Sequence, residues 1–167
     1  MFDFVQGIYD YEIMDHLDYA LRLDDDSHFL EPINYDIFKL MEDGGYLYGY
    51  LKAKPGNPDC IYGLWNLINN YIHTQNITPT FFNKLGNNRH FLNNFEASKI
   101  SVWKSNAYRN YIDVIDRAKG IFLHRWGDAP IKTWGISLFV PMDKIHYFSD
   151  INYFHRGHQV IRNKFTI

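Results

Sequence analysis

Three adjacent carboxylates repel one another, so a chain carrying Asp24-Asp25-Asp26 must place them where water, a cation or hydrogen-bond donors offset the charge. They follow directly on Tyr19-Ala-Leu-Arg-Leu23, a mostly apolar run of strand length. Oxygen clusters of this kind suit hard divalent ions such as Mg²⁺ or Mn²⁺. In open α/β sheets, the carboxyl end of a strand is where ligands bind. A strand ending in Asp-Asp-Asp is therefore a candidate metal–diphosphate site of the Asp-x-Asp kind. The alternative is a solvated acidic turn in which Asp26 or Ser27 caps the local backbone.

With 167 residues, the chain is expected to form a single domain that buries about 70% of its unfolded surface. Hydrophobic residues make up 46% and no long charge run interrupts them, which excludes a disordered chain. Thirteen Tyr, thirteen Phe and four Trp fit either an aromatic core or rings that stack on sugars. A net charge of −2 with scattered basic residues gives no nucleic-acid footprint. No apolar run has the length of a membrane span, and the N-terminus lacks a signal-peptide pattern. The single cysteine, Cys60, points to a reducing compartment such as the cytoplasm.

Strands alternate with helices along the chain, which predicts an α/β domain with a mixed sheet. A helix is expected over Ile8–Leu17, with Ile8, Tyr11, Ile13 and Met14 toward the core. Another starts at Asn34 or Asp36, carries Ile37, Phe38, Leu40 and Met41, and ends at Gly44-Gly45. Tyr46–Leu51 reads as a strand and Lys52–Asp59 as a loop. Cys60–His73 reads as a helix with Ile61, Leu64, Trp65, Ile68 and Ile72 in its stripe. Thr78–Asn88 is a connection and Arg89–Ile100 one extended segment. Ser105–Lys119 is a helix burying Tyr108, Tyr111, Ile112 and Ile115, stopped by Gly120. A short helix near Lys132–Phe139, a strand at Lys144–Phe148 and a polar tail from Gly157 complete the chain.

Three further elements bear on the acidic loop. Asn94-Phe95-Glu96 puts an acid in an apolar segment, and Arg125-Trp126-Gly127-Asp128 joins a cation, a ring and a carboxylate. Asp150-Ile-Asn-Tyr-Phe-His155 follows the last strand. In this order, and with Ile33-Asn-Tyr-Asp-Ile-Phe38, Ala107-Tyr, Asp116-Arg-Ala118 and Arg125-Trp-Gly-Asp-Ala-Pro130, the chain resembles the fungal α-1,2-mannosyltransferases of glycosyltransferase family 15 from about Tyr19 to His155. The Arg-Trp-Gly-Asp-Ala-Pro hexamer is the most specific of these matches. The family usually has Glu-Pro-Asp where Asp24-Asp25-Asp26 stands, and an acid where His124 stands.

The resemblance implies a GT-A-like fold, here partial: a mixed β-sheet flanked by helices, lacking the N-terminal nucleotide-binding half. Residues 1–167 would be its C-terminal catalytic part, with the other half absent or supplied by a partner. It implies transfer of mannose from GDP-mannose to a glycan or glycoprotein acceptor, with retention and with Mn²⁺ or another divalent metal as cofactor. It also implies the Golgi lumen. Asp24, Asp26 and His155 are the implied metal ligands, and Arg22 and Asp24 the implied cofactor-binding pair. Glu96 is implied to face the anomeric carbon, as a nucleophile or in a front-side attack on an ion pair. Asp128 would orient an acceptor hydroxyl or its own loop. Arg125 is either acceptor-binding or structural, and Trp126 either stacks on a sugar or is buried. From a different class, the alternative is a non-catalytic glycan- or partner-binding remnant of the same domain.

Overall fold

The computed structural model describes residues 5–155 and, for the backbone alone, 158–160. The polar tail from Gly157 otherwise lies outside the described residues. Four strands form a mixed sheet in the order β1 (Tyr19–Leu23), β6 (Phe95–Lys99), β3 (Tyr48–Tyr50) and β7 (Ile145–Tyr147). The β1–β6 and β6–β3 pairings are antiparallel and β3–β7 is parallel. A three-stranded sheet joins β2 (Ser27–Phe29), β8 (Tyr153–His155) and β9 (His158–Val160), and a ribbon joins β4 (Ala53–Pro55) to β5 (Arg89–Phe91).

Two cores cover the two faces of the mixed sheet, which is why β3 and β6 are almost wholly buried. Facing residues Arg22, Glu96 and Tyr50 share one side with Tyr48, Ser98 and Ala20, since paired residues project to the same face. That side meets the larger core, which holds Tyr48 and Tyr50 with residues of α2 (Leu64–Thr74), α5 (Asn106–Arg117) and α7 (Asp128–Phe139). The opposite side carries Phe95 and Ala97 and packs with Ile37 and Met41 of α1 (Ile37–Asp43). Gly49 makes this approach possible: a Cβ there would lie 2.5 Å from the Phe148 ring and 3.2 Å from Met41 Sδ.

Helix termini follow local chemistry. Asp36 caps α1 by accepting from the backbone N–H of Phe38 and Lys39, and Ser105 caps α5 by accepting from Tyr108. The expected stripe of α5, Tyr108, Tyr111, Ile112 and Ile115, is the buried one. Further helices among the described residues are α3 (Phe82–Leu85), α4 (Ile100–Lys104) and α6 (Gly120–Leu123).

Several boundaries differ from those read in the sequence. Ile8–Leu17 is not an α-helix but two 3₁₀ turns, Gly7–Asp10 and Glu12–His16, separated by an extended Tyr11. Tyr9 is the residue buried there, while Tyr11 and Ile13 are exposed, because a tertiary hydrogen bond holds Tyr9. The expected loop after β3 contains β4, and Thr78–Asn88 contains α3. The segment Arg89–Ile100 splits into β5 and β6 in different sheets. It breaks where Leu92 donates to the Lys52 carbonyl and Asn94 accepts from Asp24. Left-handed Lys119 reverses the chain after α5, so Gly120 begins α6 instead of ending a helix. Helix α7 starts four residues before the expected one, with Pro130 in its first turn, where a missing N–H leaves no intrahelical bond unmade. Among the described residues, no helix is long and apolar enough to cross a membrane.

Candidate active site

The acidic triplet forms the turn between β1 and β2. Asp24 N–H donates to the Asn94 carbonyl at 3.1 Å, and the Asp24 carbonyl accepts from Ser27 N–H at 3.1 Å. Because β2 pairs with β8 in the register Ser27↔His155, an imidazole 131 positions from Asp24 arrives beside the turn. The Tyr153 hydroxyl fastens the junction, donating to the Asn94 carbonyl at 2.7 Å and lying 2.5 Å from Ser27 Oγ.

Asp24, Asp26 and His155 consequently converge, with one ligand atom from each within 4.8 Å of the others. His155 Nε2 lies 3.9 Å from Asp24 Oδ2, and Nδ1 lies 3.4 Å from Asp26 Oδ1. That Nδ1 is shut off from water and, despite its nearness to Asp26, has no partner in hydrogen-bond geometry. An imidazole with one nitrogen facing each of two carboxylates, and with Nδ1 unbonded, fits a divalent ion that accepts mixed oxygen and nitrogen ligands, such as Mn²⁺. Asp25 points into solvent.

Arg22 ties this cluster to a second acid. Its Nη2 lies 3.2 Å from Asp24 Oδ1 and its Nη1 2.8 Å from Asp128 Oδ2. Asn93, buried in the break between β5 and β6, also donates to Asp128 Oδ2, at 2.9 Å. Burial pulls the Asp128 carboxyl up, but hydrogen bonds and charge from Arg22, with Asn93 and Lys132, bring it net below its ordinary value. Burial would lower the Arg22 guanidinium, yet Asp128, Glu96 and Asp24 together raise it.

Glu96 stands directly across the strand pair from Arg22 and on the same face of the sheet. Its side chain is buried, and both oxygens are occupied. Lys132 and Tyr9 (3.3 Å) donate to Oε1, and Tyr48 donates to Oε2 at 3.2 Å. The Lys132 ammonium also donates to Tyr9 Oη at 2.9 Å and lies 4.2 Å from the centre of the Trp103 ring. Burial is the largest influence on Lys132 and holds its ammonium below the ordinary lysine value against the pull of Glu96.

The Arg125–Asp128 turn divides its residues. Asp128 joins the acidic cluster through Arg22. Arg125 is exposed and left-handed, with φ 53°. Trp126 is buried, its indole N–H donating to the Tyr62 carbonyl at 2.6 Å and its ring lying over Gly120. Of the two placements weighed for Trp126, the buried one is found. Sequence reasoning missed Lys132, Tyr9, Tyr48 and Asn93. Only Lys132 carried a signal, as the lone cation within the apolar run Pro130–Leu138.

The sequence profile of the glycolipid 2-alpha-mannosyltransferases matches residues 1–166. The glycolipid 2-alpha-mannosyltransferase of Saccharomyces cerevisiae is 36% identical over 155 residues, 87% of this chain and 35% of that protein. Glycolipid 2-alpha-mannosyltransferase 1 of Candida albicans is 35% identical over 154 residues, 86% of this chain and 36% of that protein. Core-mannan synthase A from Aspergillus fumigatus, in its Mn/GDP form, superposes with a TM-score of 0.91 at 25% identity, over 97% of this chain and 48% of that one. The chain thus spans about a third of the length of these curated relatives and about half of that solved structure. A mixed α/β fold shared with a mannosyltransferase, together with a profile match along nearly the whole sequence, places this chain in glycosyltransferase family 15, the glycolipid 2-alpha-mannosyltransferase family.

Proposed function

We propose that residues 1–167 form one domain, the metal-binding catalytic part of a retaining α-1,2-mannosyltransferase that moves mannose from GDP-mannose to a glycan or glycoprotein acceptor. The observation that carries this reading is the convergence of Asp24, Asp26 and His155, with an unbonded, water-excluded imidazole nitrogen among them. These three side chains would hold Mn²⁺. When bound, the ion supplies neutralisation of the charge that builds on the leaving diphosphate. Arg22, hydrogen-bonded to Asp24, adds fixed positive charge at the edge of the same site.

Two roles remained open for Glu96, and its hydrogen bonding supports the electrostatic one. A carboxylate paired with Lys132 and bonded to two phenols is a weak nucleophile, and with its side chain fully buried Glu96 would act through its fixed charge on Lys132 and Arg22, not by bonding to the sugar. Asp128 orients the turn it ends, since its carboxylate is taken by Arg22 and Asn93. Exposed Arg125 is the residue of that turn available to acceptor hydroxyls, with Trp126 as its buried support.

Calorimetric titration with GDP and with GDP-mannose, each with and without Mn²⁺, tests the reading. Mn²⁺ should bind weakly alone and more tightly with GDP, whose diphosphate adds oxygen ligands. Mn²⁺ binding unchanged in His155→Ala would remove that residue from the site. A second reading, a glycan- or partner-binding module without turnover, is favoured by the burial of Glu96. Mannose transfer to a mannoside acceptor in the same samples would eliminate it.

A further inference from the structure

The Asp24 carboxylate is divided between two neighbours. Oδ1 faces Arg22 Nη2 at 3.2 Å, and Oδ2 faces His155 Nε2 at 3.9 Å. Arg22 is in turn held at its other end by Asp128 Oδ2 at 2.8 Å, and that same oxygen accepts from Asn93 at 2.9 Å. A guanidinium is planar and its donors form a rigid fork, so anchoring Nη1 fixes the direction in which Nη2 points. The Arg22 backbone is also fixed, in register with Glu96 at the sheet. Resting on the metal reading above, we propose that Asp128 and Arg22 are positioning residues for the metal ligand Asp24. The relay Asn93–Asp128–Arg22 engages Oδ1 of Asp24 and leaves Oδ2 turned toward His155.

The relay works by geometry and by charge. Arg22 faces three carboxylates, Asp24, Glu96 and Asp128. Neutralising Asp128 leaves its attraction to be shared by the other two. The guanidinium then swings onto Asp24, turning the carboxylate away from His155 and competing with a cation for it. Lysine at position 22 would not restore the arrangement, since a point charge cannot hold two carboxylates at a fixed angle. Asp128 thereby acts on the metal through Arg22, although Arg22 stands between it and the ligand.

Mn²⁺ binding, read from the free-ion paramagnetic resonance signal and by calorimetry at saturating GDP, tests the relay without reference to turnover. The samples are the wild-type chain, Asp128→Asn, Arg22→Lys, Asn93→Ala and, as a control, Asp143→Asn at an exposed position. Asp128→Asn and Arg22→Lys are expected to weaken Mn²⁺ binding roughly tenfold, the usual cost of losing a partner that orients a metal ligand. Asn93→Ala, which leaves every charge in place, should weaken it by less than Asp128→Asn does, and Asp143→Asn should not change it. Circular dichroism and melting establish that each variant is folded; should Asp128→Asn fail to fold, Asn93→Ala and Arg22→Lys decide. Folded variants that bind Mn²⁺ as the wild type does overturn the relay. Absence of Mn²⁺ binding by the wild type, with and without GDP, overturns the metal reading itself and the relay with it.

Discussion

Glu96→Gln is the perturbation that interrogates the interior of this site most directly. The substitution keeps the shape of the side chain but removes its charge, leaving Lys132 as a buried cation among Tyr9, Tyr48 and Trp103. Removing one partner of a buried ion pair costs about 3–5 kcal/mol. The glutamine oxygen can still accept from the ammonium, so the lower figure, about 3 kcal/mol, applies here. For a chain of this size each kcal/mol moves Tm by roughly 2–4 °C, giving a fall of roughly 6–12 °C. The pH dependence has a definite sign. Burial already depresses Lys132, and loss of Glu96 removes the contribution that raises it. Between the depressed value and the ordinary lysine value near 10.4, the unfolded chain binds a proton that the folded chain does not. Stability of the variant therefore rises with pH relative to wild type, by at most about 1.4 kcal/mol per unit. Urea unfolding at pH 7, 8 and 9 measures both effects. Glu96→Gln combined with Lys132→Met should return to within about 1 kcal/mol of wild type, because the buried charge is gone. A single variant as stable as wild type at pH 7, or a deficit that widens toward pH 9, would refute the reasoning.

Gly120→Ala would place a Cβ 2.4 Å from the Trp126 ring, and the buried indole cannot retreat without losing its bond to Tyr62. A loss of about 1–3 kcal/mol is expected in urea unfolding followed by tryptophan emission. Burial, with charge from Lys54, pushes His90 down to about 4, so it stays neutral in the fold while the unfolded chain takes up a proton near pH 6.5. Stability is thus lost as pH falls from about 6.5 to 4, and His90→Leu should flatten that part of the stability profile. Ser105→Ala removes the acceptor for the Tyr108 N–H and should cost about 1 kcal/mol by chemical denaturation, with little change in Mn²⁺ binding.

Elements defined by local chemistry were legible in advance. Ser105 and the Tyr108, Tyr111, Ile112, Ile115 spacing specify α5, and Asp36 with Ile37 and Met41 specifies α1, because caps and periodicity act within a few residues. Tyr9 was not legible as the buried member of its segment, since its partner Glu96 lies 87 positions away. Nor was the break within Arg89–Ile100. Its apolar residues suit a strand throughout, and only the bonds from Asn93 to Asp128 and between Asp24 and Asn94 show why the chain turns there.

The sequence by itself determined the composition of the acidic loop, the strand that carries it and, through family motifs, the residues to watch: Arg22, Asp24, Asp26, Glu96, Asp128 and His155. Tertiary structure alone decided how they divide. The β2–β8 register brings His155 to Asp24 and Asp26, while the β1–β6 register sets Glu96 opposite Arg22 and beneath Lys132. Asp128 meets Arg22, not its near neighbour Arg125, because helix α7 begins at Asp128 while Arg125 turns to solvent in a left-handed conformation. Strand register and helix direction are set by burying apolar faces across the whole chain. Pairings of charge at long separation follow from them and have no local signature.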